Sequence, residues 1–571
     1  MKKIVALLLL AAMLTMSLCS CTVDMEDMGS IIPMVLADPQ TDLDPTEMIY
    51  DKDFVKVSSL LYEGLTQVKD GKIEPAIAEA WEEKYNESRD EYFLYIDIFY
   101  SRWNDGRTLS ADHFAYAWKR ILSPETDSPA AALLYDIKNA REVKAGNMTI
   151  DDLGVAAVDS NTLEVQFEKP IDVELFLEAI SSPALIPLRD DAVQGKEDVW
   201  STNTNDISTN GKFSIKSMDP AGEYRLDFSK YYRLEKDPED GYNVFVKPYQ
   251  LVTDFAKYKT SEEAVAAFDN GEIYYVGTFT TETYAAKEKE IKSSDTLSSY
   301  TYFFNCENDV LSDAKVRKAL SSALNREEIA KIIGMGSKAA AGFVSDVATG
   351  ATMKASFRKE AGDLYKTAGD VEGAKALLKE AGVTSGDFAI TYREDRAYEQ
   401  KVAEYAKGVW ETLGFKVDLK GVSGESYESA LYGGKFDVIA LDYQALSTNA
   451  YSALAPFAPS YSGSVVEVTV DSVGTAKHVT GFESEAYTNL LNEVLDLTTR
   501  KDRAKKLVEV EKLLGDECPA AALVFYAHNY LASSELKGLE TSPYGHTIFT
   551  EAKLKDYAEK NAAYQAAQDA E

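Results

Sequence analysis

Hydrophobic and polar positions alternate differently in the two halves of the chain. Up to about residue 300, short aromatic-rich runs with strand-like alternation dominate, among them EYFLYIDIFY (91–100), NTLEVQF (161–167) and YRLDFSKYY (224–232), separated by glycine and Asn/Asp turns. The clearest helix there is ADHFAYAWKRIL (111–122), where Phe114, Ala117, Trp118, Ile121 and Leu122 fall on one face at 3.6-residue spacing. This half reads as mixed α+β. From about 301 the pattern becomes α/β. In LSDAKVRKALSSALNREEIAKIIGMG (311–336), Ser312 is placed to cap a helix with the inner stripe Val316, Ala319, Leu320, Ala323 and Leu324. Asn325 and Glu328 have the spacing of a capping box for a second helix, closed near Gly334. FAITYR (388–393) then predicts a strand and 396–415 a helix with Val402, Ala406, Val409, Trp410 and Leu413 inward. FKVDLK (415–420) predicts a strand, SYESALYGG (426–434) a short helix, and FDVIAL a third strand. This is βαβαβ, the arithmetic of a parallel sheet wrapped by helices.

The third strand ends in a change of chemistry. FDVIALDYQALSTNAY (436–451) is apolar to Leu441, then turns polar at Asp442, Tyr443, Gln444, Ser447, Thr448 and Asn449. In open α/β sheets ligands sit outside the carboxyl ends of the strands, where loops converge on a crevice. A plain turn that satisfies its own polar groups is the competing reading.

With 571 residues and 45% hydrophobic composition, the chain has material for large cores and two to four domains. A formal charge of −34, with acidic residues spread along the whole length, argues against nucleic acid, whose phosphates demand a concentrated basic surface. At the N-terminus, Lys2 and Lys3 precede an apolar run from Ile4 to Leu18, shorter than the roughly 20 residues of a membrane-spanning helix and laid out as a signal peptide. The run closes on Leu18-Cys19-Ser20-Cys21, which resembles a bacterial lipobox with Cys21 as the acylated residue and Cys19 an unusual neighbour. TVDMEDMGS then forms a tether, and no later segment is a membrane-span candidate. Beyond the lipid site only Cys306 and Cys518 remain, as a disulfide or as two buried thiols.

Several segments, in order from about 30 to 550, resemble the dipeptide and oligopeptide-binding family of ABC-importer solute-binding proteins. LLYEGLTQVKDGKIEPAIAEAWEE (60–83) is similar to that family's EGL turn and G-x-I-x-P-x-x-A-E-x-W stretch, through Gly71, Ile73, Pro75, Ala78, Glu79 and Trp81. WNDGRTLSADHFAYAWKRILSPET (103–126) resembles its W-x-D-G segment, with Leu109 where proline is common. STNGKFSIKSM (208–218) resembles its N-G-P-F turn, SDAKVRKALSSALNREEI (312–329) its R-x-A-L helix, and AKALLKEAG (374–382) a further helix. FDVIALDYQALS falls where the family has its crevice segment.

The resemblance implies a two-lobed clamp with an extra smaller domain, the chain crossing between lobes several times. It sets 1–20 as signal peptide, 21–29 as lipidated tether, 30–60, 183–300 and 520–550 as lobe I, 61–182 as domain II, 301–519 as lobe III and 551–571 as a solvated helix or fraying tail. It implies capture without chemistry or cofactor by a monomer that hands solute to membrane permease subunits. The ligand is treated as an added β-strand, with side-chain pockets that accept variety. The site residues it implies are Leu43 and Asp44 with the turn Asn210-Gly211 from lobe I, and Asp442, Tyr443, Gln444, Ala445, Leu446 and Ser447 from lobe III. One departure stands out. Many peptide binders of this group carry an aspartate for the ligand's α-ammonium three residues after the crevice aromatic. Here that position is Leu446, so Asp442 is the nearest substitute, and Ala440 stands where some relatives place a cation for the carboxylate. Oligopeptide is the leading ligand class, with oligosaccharides or metal chelates on the same fold as the alternative.

Other chemistries find little support. Four histidines, His113, His478, His528 and His546, lack HExxH spacing, and GVSGES (421–426) fails the G-x-S-x-G pattern, which argues against a hydrolase. DPQTDLDPTE (38–47) lacks the glycine and terminal glutamate of a calcium loop, and GMGSKAAAG (334–342) follows a helix instead of a strand, so it reads as a helix stop and not a phosphate loop.

Overall fold

Strand β1 (Ile31–Val35) is buried on both faces, and helix α1 (Phe54–Leu61) follows it. The computed structural model describes residues 30–568 apart from 37–41, 46–52, 198, 203–206, 219–223, 230, 233–234, 237–242, 245–249, 254–257, 465–467, 470–471, 474–476 and 550. The signal-peptide and lipobox expectations, Cys21 included, lie outside the described residues. An antiparallel sheet comes next, made of β2 (Ala78–Asn86), β3 (Glu91–Ile98), β4 (Val155–Ala157) and β5 (Thr162–Phe167) in the order β2-β3-β5-β4. Leu163, Val165 and Phe167 alternate inward on β5 because a strand's side-chain period is two. They meet helix α1's successor α2 (Ala111–Leu122), whose predicted stripe is buried throughout, and which is followed in the chain by α3 (Val173–Ala179).

Nine further strands build one mixed sheet with β1 in it. In chain order these are β6 (Phe213–Met218), β7 (Tyr224–Phe228), β8 (Gln250–Thr253), β9 (Tyr275–Val276), β10 (Lys292–Phe304), β11 (Gly386–Arg393), β12 (Phe415–Val422), β13 (Val438–Gln444) and β14 (Ala520–Ala532). Their spatial order is β12-β11-β13-β10-β14-β9-β1-β8-β7-β6, with the short strand Lys338–Ala339 also paired to β14. The predicted βαβαβ unit is present. β12 and β13 both run parallel to β11, and the crossovers are α6 and α7, counted after α4 (Ala314–Ala323) and α5 (Arg326–Ile333): α6 is Ala397–Glu411 and α7 is Gly424–Tyr432. Of the stripe predicted for α6, Val402, Ala406, Trp410 and Leu413 are buried and Val409 is half-buried.

β10 and β14 pass from one half of this sheet to the other. Their antiparallel register runs Lys292↔Tyr530 to Asp295↔Ala527, then resumes at Ser299↔Phe525. The bulge at Thr296–Ser298 loosens the ladder at the crossing, where a local bend is least costly. Thr296 Oγ1 donates to the Tyr526 carbonyl at 2.9 Å and pins the bulge.

Two local expectations are corrected. Asp313, not Ser312, caps α4, its carboxylate accepting the Lys315 N–H at 2.7 Å while the Ser312 hydroxyl turns to Asp309 O. Asn325 does cap α5 through the N–H groups of Glu327 and Glu328, but the reciprocal half of the box is missing, because the Glu328 carboxylate pairs with Lys331 at 2.7 Å and the Asn325 N–H donates to the Tyr405 hydroxyl. The C-terminal segment is the solvated helix and not the fraying tail: α9 (Tyr557–Gln568), after α8 (Arg500–Glu517), is mostly exposed but tied down at Asn561, which is fully buried and accepts the Ile31 N–H at 2.9 Å. Cys306 and Cys518 are free thiols, and burial pushes the Cys306 thiol up to about 11.

Candidate functional site: an interlobe crevice

The carboxyl ends of β11 and β13 point toward the bulged crossing, and a cavity of about 360 Å³ opens there. One wall comes from Asp53 and Lys56 at the start of α1 and from Gly277–Glu282 after β9. The other comes from Asp395–Tyr398 and Lys401 after β11, and the floor from Thr296, Ser298 and Tyr526–Asn529 on the crossing strands. Both halves of the sheet therefore contribute, which is what a clamp needs if it is to close on a solute. Asp53 is held by Lys56 at 2.7 Å, and the Lys56 ammonium donates to Gly277 O at 3.2 Å, tying α1 to the loop after β9. His528 Nε2 lies 2.8 Å from Thr547 Oγ1, and burial, with Lys56 and His546 nearby, holds its pKa well below the ordinary value, so the imidazole is neutral.

Behind the lobe wall contributed by β11 sits a buried charged cluster. Asp442 is fully buried; its Oδ2 accepts from Arg396 NH1 at 2.6 Å and lies 3.2 Å from Arg393 NH1, and its Oδ1 accepts from the Tyr526 hydroxyl at 2.7 Å. Glu399, also fully buried, takes the Arg393 Nε at 2.7 Å and the Arg393 N–H at 2.9 Å. Burial opposes the charge on Arg396, but Asp442 together with Tyr398, Glu399 and Asp53 more than offsets this and raises its pKa well above the ordinary value. Two cations and two anions thus neutralise one another out of water, as buried charges must.

The residues expected at the site are distributed unevenly. Asp442 lies directly behind Arg396 and Tyr526, which line the cavity. Its expected role as partner of a ligand ammonium is corrected: both oxygens already hold guanidinium or phenol donors. Gln444 accepts from Ser298 Oγ, Tyr443 turns to the opposite face and donates to Ala453 O at 2.8 Å, and Ala445, Leu446 and Ser447 are buried beyond it. Leu43 is fully buried, and Asp44 makes a two-point pair with Arg120 at 3.1 and 2.6 Å; neither reaches the cavity. Asp42 accepts the Asp44 N–H, while Asp38 and Glu47 of the acidic run lie outside the described residues. Asn210 brackets the backbone of Glu63 through both amide atoms, and Gly211 lies so near α1 that a Cβ would sit 2.6 Å from the Leu61 carbonyl carbon. Gly211 lines a second cavity of about 190 Å³, beside Tyr62, Ser182, Tyr544 and His546. Sequence reasoning applied the strand-end rule to β13 alone. The same rule at the end of β11 points to Arg393 and Arg396.

The four-stranded-sheet unit touches the far half of the molecule without any covalent link there. Glu178 on α3 is fully buried and accepts the Thr349 and Thr448 hydroxyls at 2.7 and 2.6 Å, with Arg500 NH1 of α8 at 2.8 Å. Arg503 forks onto Asp136 at 2.8 and 2.6 Å. Ser128 N–H donates to Gly463 O at 2.9 Å, an approach so close that a Cβ on Gly463 would meet the Ser128 carbonyl oxygen at 1.8 Å. These contacts join the four-stranded-sheet unit to the far half of the molecule, away from the crevice lining.

A two-lobed clamp of this design, with a crevice over a pair of crossing strands, defines a solute-binding protein. The chain belongs to the bacterial extracellular solute-binding proteins, family 5, whose middle region matches residues 72–464. It is 28% identical over 516 residues to the periplasmic murein peptide-binding protein MppA of Escherichia coli, covering 88% of this chain and 89% of MppA. It is 26% identical over 513 residues to the oligopeptide-binding protein OppA of Bacillus subtilis, covering 86% and 87%. The fold is shared with peptide-bound Listeria monocytogenes OppA at a TM-score of 0.74 and 22% identity, over 92% of this chain and 99% of that one. Among the described residues no helix is long and apolar enough to cross a membrane.

Proposed function

We propose that this protein captures oligopeptides in the crevice and delivers them to the permease of an ABC importer, without chemistry on the peptide. The observation that carries the reading is the crevice itself, walled from both halves and floored by two crossing strands. Within the crevice the peptide is taken as an added strand, its backbone satisfied by protein backbone while pockets accept its side chains. MppA and OppA are named for peptide binding, which favours peptides over oligosaccharides or chelates. Mass spectrometry of solute released by denaturing the purified chain from residue 22 tests this. Peptides of a few residues are expected; a glycan or chelate in their place would end the peptide reading.

The lipobox supports attachment to the outer face of a membrane through acylated Cys21. Cys21→Ser is expected to move the protein from the membrane pellet to the soluble fraction, and a variant that stays with the membrane would rule this anchor out.

A further inference from the structure

Arg396 differs from its neighbours in the buried charged cluster. Arg393, Glu399 and Asp442 have side chains 11%, 0% and 0% exposed, whereas that of Arg396 is 23% exposed and lines the crevice. Its NH1 serves Asp442 at 2.6 Å and lies 3.5 Å from the Tyr398 hydroxyl. Its Nε and NH2 donate to no acceptor among the described residues. That pair of atoms is the edge of a guanidinium that grips a carboxylate with two parallel bonds. Lys401, about one turn further along α6, lines the same wall, is exposed and has no ion pair among the described residues. Of the acids of the crevice, Asp53 is held by Lys56 and acts on Arg396 more weakly than Asp442 does, and Glu282 and Asp395 are exposed to water.

We infer that Arg396, assisted by Lys401, is the position at which the crevice binds a carboxylate of its ligand, and that Asp442 is its positioning residue. This rests on the peptide reading of the same crevice. An end-on contact through NH1 fixes the direction of the guanidinium plane while leaving its outer edge available. Asp442 is itself fixed by Tyr526 from the crossing strand β14. The chain has thereby exchanged an acid that faces the ligand's ammonium for an acid that stands behind a cation. The carboxylate has two sources in a peptide, the C-terminus or an Asp/Glu side chain.

The test uses a degenerate tetrapeptide library made in three forms, as free acids, as C-terminal amides and as N-acetylated acids, titrated calorimetrically into the mature chain. Bound members are identified by mass spectrometry. Free acids are expected to bind at least tenfold more tightly than amides, with acetylation of little consequence. Arg396→Gln is expected to bring the acid-to-amide ratio to about one, and Arg396→Lys to restore part of it. Asp442→Asn is expected to lower that ratio several-fold, and because the ratio is read within one variant, a general loss of structure, which weakens acids and amides alike, does not move it. If bound amides are enriched in Asp or Glu, the carboxylate is a side chain; if they are not, it is the C-terminus. Equal binding of acids and amides by the wild-type chain, or loss on acetylation and not on amidation, overturns the assignment while leaving the peptide reading in place. A wild-type chain that binds none of the three forms overturns both.

Discussion

Glu178→Ala is expected to weaken peptide capture by about a hundredfold while leaving the unliganded fold nearly as stable as before. Glu178 gathers two hydroxyls and a guanidinium from the opposite half of the molecule, and the guanidinium has besides it only the more exposed Glu174, at 3.2 Å, as an acidic partner among the described residues. Removing a partner from a buried ion pair costs about 3–5 kcal/mol because the remaining charge stays dry and uncompensated. Here that cost applies only while the halves are together. Once they part, Arg500 and both threonines meet water, so the loss falls on closure and not on folding. A penalty of about 3 kcal/mol on the closed state reduces the binding-competent fraction, and apparent affinity falls with it, by roughly two orders of magnitude if the open form becomes dominant. Glu178→Gln keeps an acceptor for the hydroxyls and should fall between. Calorimetric affinity and the radius of gyration from X-ray scattering, measured on the same samples, decide the matter. Unchanged affinity together with an unchanged radius would show that these contacts do not govern closure.

The latch was invisible in the sequence for a reason that applies to most of the site. Glu178 meets Thr349, Thr448 and Arg500, each more than 150 residues away, and no local pattern distinguishes it from the other acids of the chain. What the sequence does show is periodicity. The stripe of α2 and the βαβαβ order were legible because one buried face imposes a spacing of 3.6 or 2 on neighbours in the chain. Caps were half legible: Ser312 and Asp313 are both competent, and a carboxylate wins because its charge also suits the helix N-terminus. Asp442 was found by position and misread by role, since the two arginines that neutralise it lie 49 and 46 residues upstream on another strand end. A strand-end rule gives the location of polar groups but not the sign of the charge that will face each one.

A second large effect is expected from acid. Lowering the pH from 7 to 5 should cost the fold about 4 kcal/mol through His478 and His546 alone. Burial drives both pKa values down, to about 3 for His478 and about 4 for His546, with no charged neighbour contributing. His478 lies between the rings of Phe303 and Phe457 and shares a hydrogen bond with Thr480; His546 lines the second cavity. The sign follows from proton counts. Between the unfolded value near 6.5 and these folded values, the unfolded chain binds protons that the folded chain refuses, so stability rises with pH across that window and is lost as pH falls through it. His528 is shifted in the same direction, whereas the buried carboxyl of Glu399 is shifted up and acts oppositely. Comparing variants removes such shared contributions. Urea unfolding at pH 5, 6 and 7 should show that His478→Gln and His546→Gln each flatten the dependence below pH 6 by about 1.4 kcal/mol per pH unit, the value of one proton. Slopes in both variants equal to that of the parent would mean that neither imidazole is held neutral by the fold. The consequence for function is indirect: the crevice exists only in the folded chain, so peptide affinity should decline only where acid leaves the unfolded chain populated.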